Sequence, residues 1–246
     1  MKPTVYVKDF SLTLGHKEIV RKLSFEVQPG EVFAFLGANG SGKTSTIRAL
    51  LGLYDATAGE LHINGRQYTA KDAKTVGYLP EERGLYTRVS ALDNLIYFGE
   101  MKGMSRAEAR QAGMDFLAEV DLADKATLKL KKLSGGQQQK VQLGAAVMGN
   151  PSLLILDEPT KGLDPVNRKL LLDIVEEHKQ QGAAVIYITH LMEEVERLAD
   201  RLLIIKDGAA EAYGTVAEVK QKFKAASIEE VFVNIYKDTS HEKGDK

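Results

Sequence analysis

No cysteine occurs among the 246 residues, so the chain holds no disulfide and no cysteine-ligated metal. It also lacks a surplus of either charge: 33 Lys and Arg stand against 34 Asp and Glu, a formal net charge of -1. Without an overall basic field to draw a polyanion in, nucleic acid is not expected as a main partner. No apolar run is long enough to span a bilayer, and Met1 to Phe10 does not read as a signal peptide. The chain is therefore expected to stay in the cytosol, with any membrane role coming through a partner. Internal repeats and low-complexity linkers are missing too. What is present is ordinary: 43% hydrophobic and 27% charged residues, enough for one large core or a core plus a smaller lobe.

Two regimes of pattern follow one another. From Val5 to about Leu79 short β-rich runs alternate with turns, and Leu61-His62-Ile63 ahead of Asn64-Gly65 reads as a hairpin arm entering a tight turn. From about Arg83 to Met148 the pattern becomes helical. Ser105 with Glu108 forms a capping box, after which Ala109, Ala112, Phe116, Leu117 and Val120 share one face. Strands return at Leu153 to Leu156, Ala184 to Thr189 and Leu202 to Ile205. Between the first two, a helix opens at Asp164-Pro165, carries Leu170, Leu171, Ile174 and Val175, and stops at Gly182. A β-rich core is thus interrupted by a helical insertion at about residues 83–150. Residues 1–226 read as one domain. The remainder, 227–246, begins with a short helix capped by Ser227 with Ile228, Val231, Phe232 and Ile235 on one face, and ends in a polar tail from Lys237 expected to be disordered.

The run Gly37, Ala38, Asn39, Gly40, Ser41, Gly42, Lys43, Thr44, continued by Ser45, is a full match to the phosphate-binding pattern G-x-x-x-x-G-K-[ST]. Its context is the one the mechanism requires. Val32 to Leu36 is an apolar strand before it, and Thr44 to Leu53 is a helix after it with Ile47, Leu50 and Leu51 on one face. Glycines let the backbone wrap a polyphosphate, the helix N-terminus presents unpaired N–H groups, Lys43 reaches the β and γ phosphates, and the Thr44 hydroxyl is placed for Mg²⁺. A second constellation follows the strand Leu153 to Leu156. Asp157 and Glu158 emerge at its C-terminal edge, where ligands of open α/β sheets bind. Asp157 suits Mg²⁺, and Glu158 suits a general base or orienter of the attacking water. His190, after the strand Ala184 to Thr189, stands at the same edge and can contact a γ-phosphate while supporting Glu158.

These motifs, with Leu133-Ser134-Gly135-Gly136-Gln137 and Gly162-Leu163-Asp164 in that order and spacing, resemble the nucleotide-binding subunit of an ATP-binding cassette (ABC) transporter from about Val5 to Lys222. The resemblance implies an α/β fold: a P-loop NTPase core with a β-rich N-terminal subdomain and an inserted α-helical subdomain. It also implies an ATPase using ATP and Mg²⁺ in a head-to-tail dimer, of two copies or of this chain with a related one. Ser134, Gly135, Gly136 and Gln137 of one subunit would close over the γ-phosphate held by Lys43 of the other, with Asp164 near the seam. Ser134 can cap the following helix while its hydroxyl and the glycine N–H groups remain donors to an anion.

Three positions depart from the family pattern. Leu14-Gly15 stands where an aromatic residue usually stacks on adenine; Phe10 or Tyr6 would substitute only in a different register. Glu81, in Tyr78-Leu79-Pro80-Glu81, stands where the Q-loop has glutamine. It keeps an oxygen ligand for Mg²⁺ or its water but adds a carboxylate beside Glu158. Lys161 replaces a common serine and reads as a solvent-facing tolerance. The resemblance further implies a transmembrane permease as partner, received by the helical insertion, with Leu85 and Tyr86 as candidate contacts. Membrane contact comes only through that permease, on the inner face of the cell membrane. Lys129, Lys131 and Lys132 read as a solvated face. The runs Glu81 to Tyr86 and Ser227 to Phe232 resemble exporter-type subunits. The alternative is a non-transport ABC ATPase acting on the ribosome or DNA. The single cassette and the short stretch between Lys43 and Ser134 argue for transport.

Overall fold

The computed structural model describes residues 2–237. From the N-terminus the chain forms β1 (Val5–Leu14), β2 (Lys17–Val27), β3 (Val32–Leu36), α1 (Lys43–Leu50) and β4 (Ala58–Ile63). It continues through β5 (Val76–Leu79), α2 (Ala91–Met101), α3 (Arg106–Glu119), α4 (Gly135–Val147), β6 (Leu153–Asp157) and α5 (Pro165–Gln180). Strand β7 (Ala184–Ile188) then leads to α6 (Met192–Leu198), β8 (Arg201–Lys206), β9 (Ala209–Thr215), α7 (Val216–Phe223) and α8 (Ile228–Lys237). Two compact units result. The first joins the chain up to Tyr68 with the chain from Tyr187 onward, and the second is Thr69–Ile186.

In the first unit β1 pairs antiparallel with both β2 and β4, in the order β2-β1-β4, while β3 pairs in parallel with β8, and β8 antiparallel with β9. Every residue of β3 is buried, as its unbroken apolar run requires of a strand covered on both faces. The expected tight turn at Asn64-Gly65 forms, with φ of 52° and 80°. Its following arm does not: only an isolated bridge joins Ile63 to Arg66, and β4 finds its partner in β1. A local turn signal cannot reveal a strand partner more than fifty residues away. Helix α8 docks on the core, with Ile228, Val231 and Ile235 among Ala34, Leu36, Leu202 and Ile204. Fully burying such a side chain is worth about 1.5–3 kcal/mol. The Ser227 hydroxyl accepts from the Glu230 N–H at 3.1 Å, as the capping pattern predicts. The expected disorder of the polar tail falls on residues 238–246, outside the described residues; Lys237 closes α8.

The second unit holds residues 83–150 together with the parallel pair β5 and β6 and helix α5. Its helices pack closely. A Cβ at Gly144 of α4 would lie 2.5 Å from a ring carbon of Phe116 on α3, so only glycine permits this approach. The capping box of Ser105 and Glu108 forms, at 3.3 Å and 2.8 Å. Lys140, buried on α4, donates to the Val120 carbonyl at the C-terminus of α3 at 3.0 Å, where a helix end favours a cation. The Asp164 carboxylate caps α5 by accepting from the Val166 and Asn167 N–H groups, each at 3.0 Å. Those bonds hold its pKa below the usual carboxylate range, Asn167 contributing most.

Candidate functional site

In the first unit, the loop from Gly37 to Ser45 turns tightly between β3 and α1. Gly40 and Gly42 take positive φ of 79° and 112°. A Cβ at Gly37 would lie 2.5 Å from both the Ile205 carbonyl oxygen and Ser41 Oγ, so the backbone there runs against the end of β8. The Ser41 N–H donates to the Ala38 carbonyl at 3.1 Å, and the Ser41 carbonyl accepts from the Gly208 N–H at 3.1 Å. Lys43 folds back over the loop, its Nζ donating to the carbonyls of Gly37 at 2.7 Å and Ala38 at 3.1 Å. Helix α1 begins at Lys43 without a side-chain cap and without an acidic residue in its first turn, leaving the N–H groups of Lys43, Thr44 and Ser45 outside the helical ladder. The Ser41 hydroxyl is buried and has no hydrogen-bond partner among the described residues. Positive φ, N–H groups at a helix start, an inward ammonium and an orphaned hydroxyl together fit a bound polyphosphate.

His190 also belongs to this unit, exposed just beyond the end of β7. Its turn is fixed from below. The buried Glu194 carboxylate accepts from the Tyr187 hydroxyl at 2.9 Å and the Thr189 hydroxyl at 3.1 Å, and Thr189 Oγ1 accepts from the Leu191 N–H. Sequence reading missed Glu194, one of three glutamates in α6 that the sequence does not tell apart. Neither alternative to Leu14 is released by a change of register. Phe10 is wholly buried, and Tyr6 stacks on His62 with ring centroids 6.0 Å apart, whereas Leu14 is exposed next to Gly15 at the end of β1.

In the second unit β6 delivers a buried Asp157, and Glu158 follows at φ 50°, the left-handed region that costs a non-glycine residue energy and that clusters at active sites. Lys161, solvent-facing as expected, is also bonded. Its Nζ lies 2.7 Å from Glu81 Oε1. Glu81 holds the Lys161 pKa above its usual value, with Glu158 and Asp157 adding to the effect. Two departures from the family pattern thus compensate each other, and a lysine sits in the field of all three carboxylates.

Helix α4 ties this unit's motifs together through a run of glutamines. Ser134 caps the helix, accepting from the Gln137 N–H at 3.3 Å while Gln137 Oε1 accepts from the Ser134 N–H at 3.0 Å. Gln138 Oε1 accepts from Arg83 Nη1 at 3.1 Å. Gln139 Nε2 donates to the Pro159 carbonyl at 2.9 Å, directly after Glu158, and Gln142 Nε2 to the Pro80 carbonyl at 2.8 Å, directly before Glu81. Ser134 and Gly135 are exposed. Arg83, Gln139 and Gln142 were not anticipated, although four glutamines near a helix start were visible in the sequence. Lys129, Lys131 and Lys132 are exposed, as a solvated face requires. Among the described residues no group of three or more His, Asp or Glu side chains is placed to hold a metal by itself.

Residues 20–161 match the family model described as ABC transporter. The chain belongs to the ABC transporter family. Like this ATP-binding subunit, an uncharacterized ABC transporter ATP-binding protein of Methanocaldococcus jannaschii carries the cassette; it is 42% identical over 222 residues, covering 90% of this chain and 81% of that one. The Nod factor export ATP-binding protein I of Paraburkholderia xenovorans is 37% identical over 221 residues, covering 89% and 73%. A solved structure of an ATP-binding subunit of an ABC transporter superposes with a TM-score of 0.89 at 30% identity, covering 95% of this chain and 99% of the other. The resemblance carried by the motifs and the P-loop NTPase fold are both borne out. Lys43, Thr44 and His190 of the subunit lie in its first unit, and Glu81, Ser134 to Gln137, Asp157 and Glu158 in its second.

Proposed function

We propose that this ATP-binding subunit hydrolyses ATP held between two copies, or between itself and a related chain, and that closure of the pair drives export through a separate membrane permease. The observation that carries the reading is the exposed start of α4. Ser134 caps the helix with its oxygen, so its proton and the N–H groups of Gly135 and Gly136 remain available to an anion of another chain. The loop Gly37 to Ser45 binds the polyphosphate, Lys43 exchanging its carbonyl acceptors for phosphate oxygens. Thr44, Asp157 and Glu81 are the side chains that would hold Mg²⁺, which when bound offsets the negative charge of the phosphates. Glu158 accepts the proton of the attacking water as its oxygen bonds to the γ-phosphorus and the bond to the bridging oxygen of ADP breaks. His190, fixed by the Glu194 turn, hydrogen-bonds the transferring phosphate.

The permease contact is assigned to the aromatic surface of the second unit. Tyr86 and Tyr97 are exposed and meet edge to face with centroids 5.3 Å apart, beside exposed Val89 and Met101. Buried Asn94 fixes Tyr86 by accepting from its N–H at 3.0 Å and donating to its carbonyl at 3.1 Å. Such a rigid aromatic patch suits a short helix from a partner. Among the described residues no helix is long and apolar enough to cross a membrane. The subunit's place is peripheral, on the inner face of the cell membrane, through the permease. Export is favoured by the Nod factor export relative and by the Glu81 to Tyr86 and Ser227 to Phe232 runs. The test is to tag the Glu158→Gln chain in its native host, solubilise membranes with ATP present and identify what remains bound. A stoichiometric multi-helix membrane protein supports the reading; recovery only with ribosomes or DNA-bound proteins overturns it.

A further inference from the structure

The last turn of α8 reaches the phosphate loop. Tyr236 places its hydroxyl between two backbone groups: it accepts from the Ala38 N–H at 2.8 Å and donates to the Ile205 carbonyl at 3.0 Å. Ala38 is the second residue of the loop, and its own carbonyl accepts from Ser41 N–H and Lys43 Nζ. Ile205 supplies the carbonyl against which Gly37 is packed. One phenol oxygen therefore spans the ends of β3 and β8 at the root of the loop. Burial, with Asp207 and Glu211 nearby, keeps the phenol pKa above its ordinary value despite the Ala38 bond, so the proton given to Ile205 is retained.

The phenol is itself held. Its ring stacks on Phe232 with centroids 4.5 Å apart, and Lys206 Nζ stands 5.5 Å from its centroid while donating to the Ile235 carbonyl at the end of α8. Ile228, Val231 and Ile235 anchor the rest of the helix. Docking of α8 and the shape of the loop are thus joined by a contact lying outside the phosphate-binding pattern.

We propose that Tyr236 is a positioning residue for the phosphate loop, so that docking of the C-terminal helix and binding of nucleotide reinforce each other. The inference rests on the loop being the ATP site. Removing the hydroxyl leaves the Ala38 N–H and the Ile205 carbonyl without this partner and loosens the peptide whose carbonyl orients Lys43. Since coupling between binding and docking is reciprocal, nucleotide in the loop must hold α8 more firmly in return.

The test uses the full chain and MgATP. Tyr236→Phe keeps the ring, its stack and the cation above it, and deletes only the hydroxyl. It is expected to weaken MgATP binding by about three- to tenfold, the range one net hydrogen bond carries, and to raise KM for ATP while kcat is retained. In the parent, MgATP should slow amide hydrogen exchange along α8, and that slowing should vanish in Tyr236→Phe. Unchanged binding in Tyr236→Phe, or α8 exchange in the parent that is indifferent to MgATP, overturns the proposal; a lowered Tm with unchanged affinity does so as well, because the hydroxyl would then be merely structural. Lys43→Ala separates the two levels: if it binds MgATP like the parent, the reading of the loop as the ATP site is what fails, and the proposal falls with it.

Discussion

Gln139→Leu isolates the link between α4 and the acidic turn. The side chain is 6% exposed, and its Nε2 donates to the buried Pro159 carbonyl at 2.9 Å. Leucine has a similar volume and a good helix propensity, so the backbone of α4 is expected to persist. The loss is one hydrogen bond and an unsatisfied buried carbonyl, about 1–3 kcal/mol. For a chain of this size that corresponds to a fall in Tm of roughly 2–10 °C. The kinetic effect should exceed the thermal one. Glu158, immediately before Pro159, is held at φ 50°, a conformation that persists only when its surroundings enforce it. Relaxing it moves the carboxylate off line, and a displacement of about 1 Å costs roughly a hundredfold in rate. Steady-state ATPase assays should therefore show kcat reduced by one to two decades, with KM for ATP within about twofold, since the phosphate loop is untouched. A variant with lowered Tm and parental kcat would refute the reasoning, because the glutamine would then stabilise the turn without placing the base.

Three further outcomes are expected. Glu81→Gln should keep or raise ATPase activity and Lys161→Ala should lower it, with the double variant returning to the Glu81→Gln level, since Lys161 offsets a carboxylate that glutamine does not carry; additive rates would contradict the pairing. His178 has its pKa lowered by burial, and lines a cavity of about 740 Å³ together with Lys102, Glu108, Asp115 and Glu119. Its unfolded form binds the proton more tightly, so its contribution to stability is present above pH about 6.5 and is lost as pH falls toward the lowered folded value. Urea titrations of the parent and His178→Asn between pH 5 and 8 should show the acid-side slope flattened in the variant, and equal slopes would exclude His178 as its source. Glu194→Leu strands the hydroxyls of Tyr187 and Thr189 and should cost about 2–4 kcal/mol in urea unfolding, whereas Glu194→Gln, which still accepts, should cost less; equal losses would show that the hydrogen bonds are not what matters.

Local signals were legible where a short stretch decides its own structure. The buried runs before the phosphate loop and before Asp157 became β3 and β6, the Ser105 and Ser134 caps formed, and Asp164-Pro165 opened α5. The amphipathic face at Ile228, Val231, Phe232 and Ile235 formed as expected and packs on the core, with Phe232 only partly buried. What stayed hidden were pairings between distant positions. Glu81 and Lys161 each looked like an isolated departure, and only the fold brings their charges together. Gln139 and Gln142 carried no motif of their own, yet both lie buried with their amides directed at the carbonyls flanking Glu158 and Glu81. Tyr236 sits almost two hundred residues beyond the peptide it holds, and a tyrosine at a helix end carries no periodicity that points to it. The candidate ligands stood in recognisable motifs; the supports behind them did not, because backbone carbonyls as acceptors leave no mark in a sequence.

The most direct test of the shared nucleotide is the mass in solution of Glu158→Gln, which should bind ATP without turning it over. The account predicts a monomer without nucleotide and twice that mass with saturating MgATP, the shift abolished by Gly136→Asp, which sets a carboxylate at the start of α4. Remaining monomeric with MgATP bound, or dimerising equally well after Gly136→Asp, would contradict it.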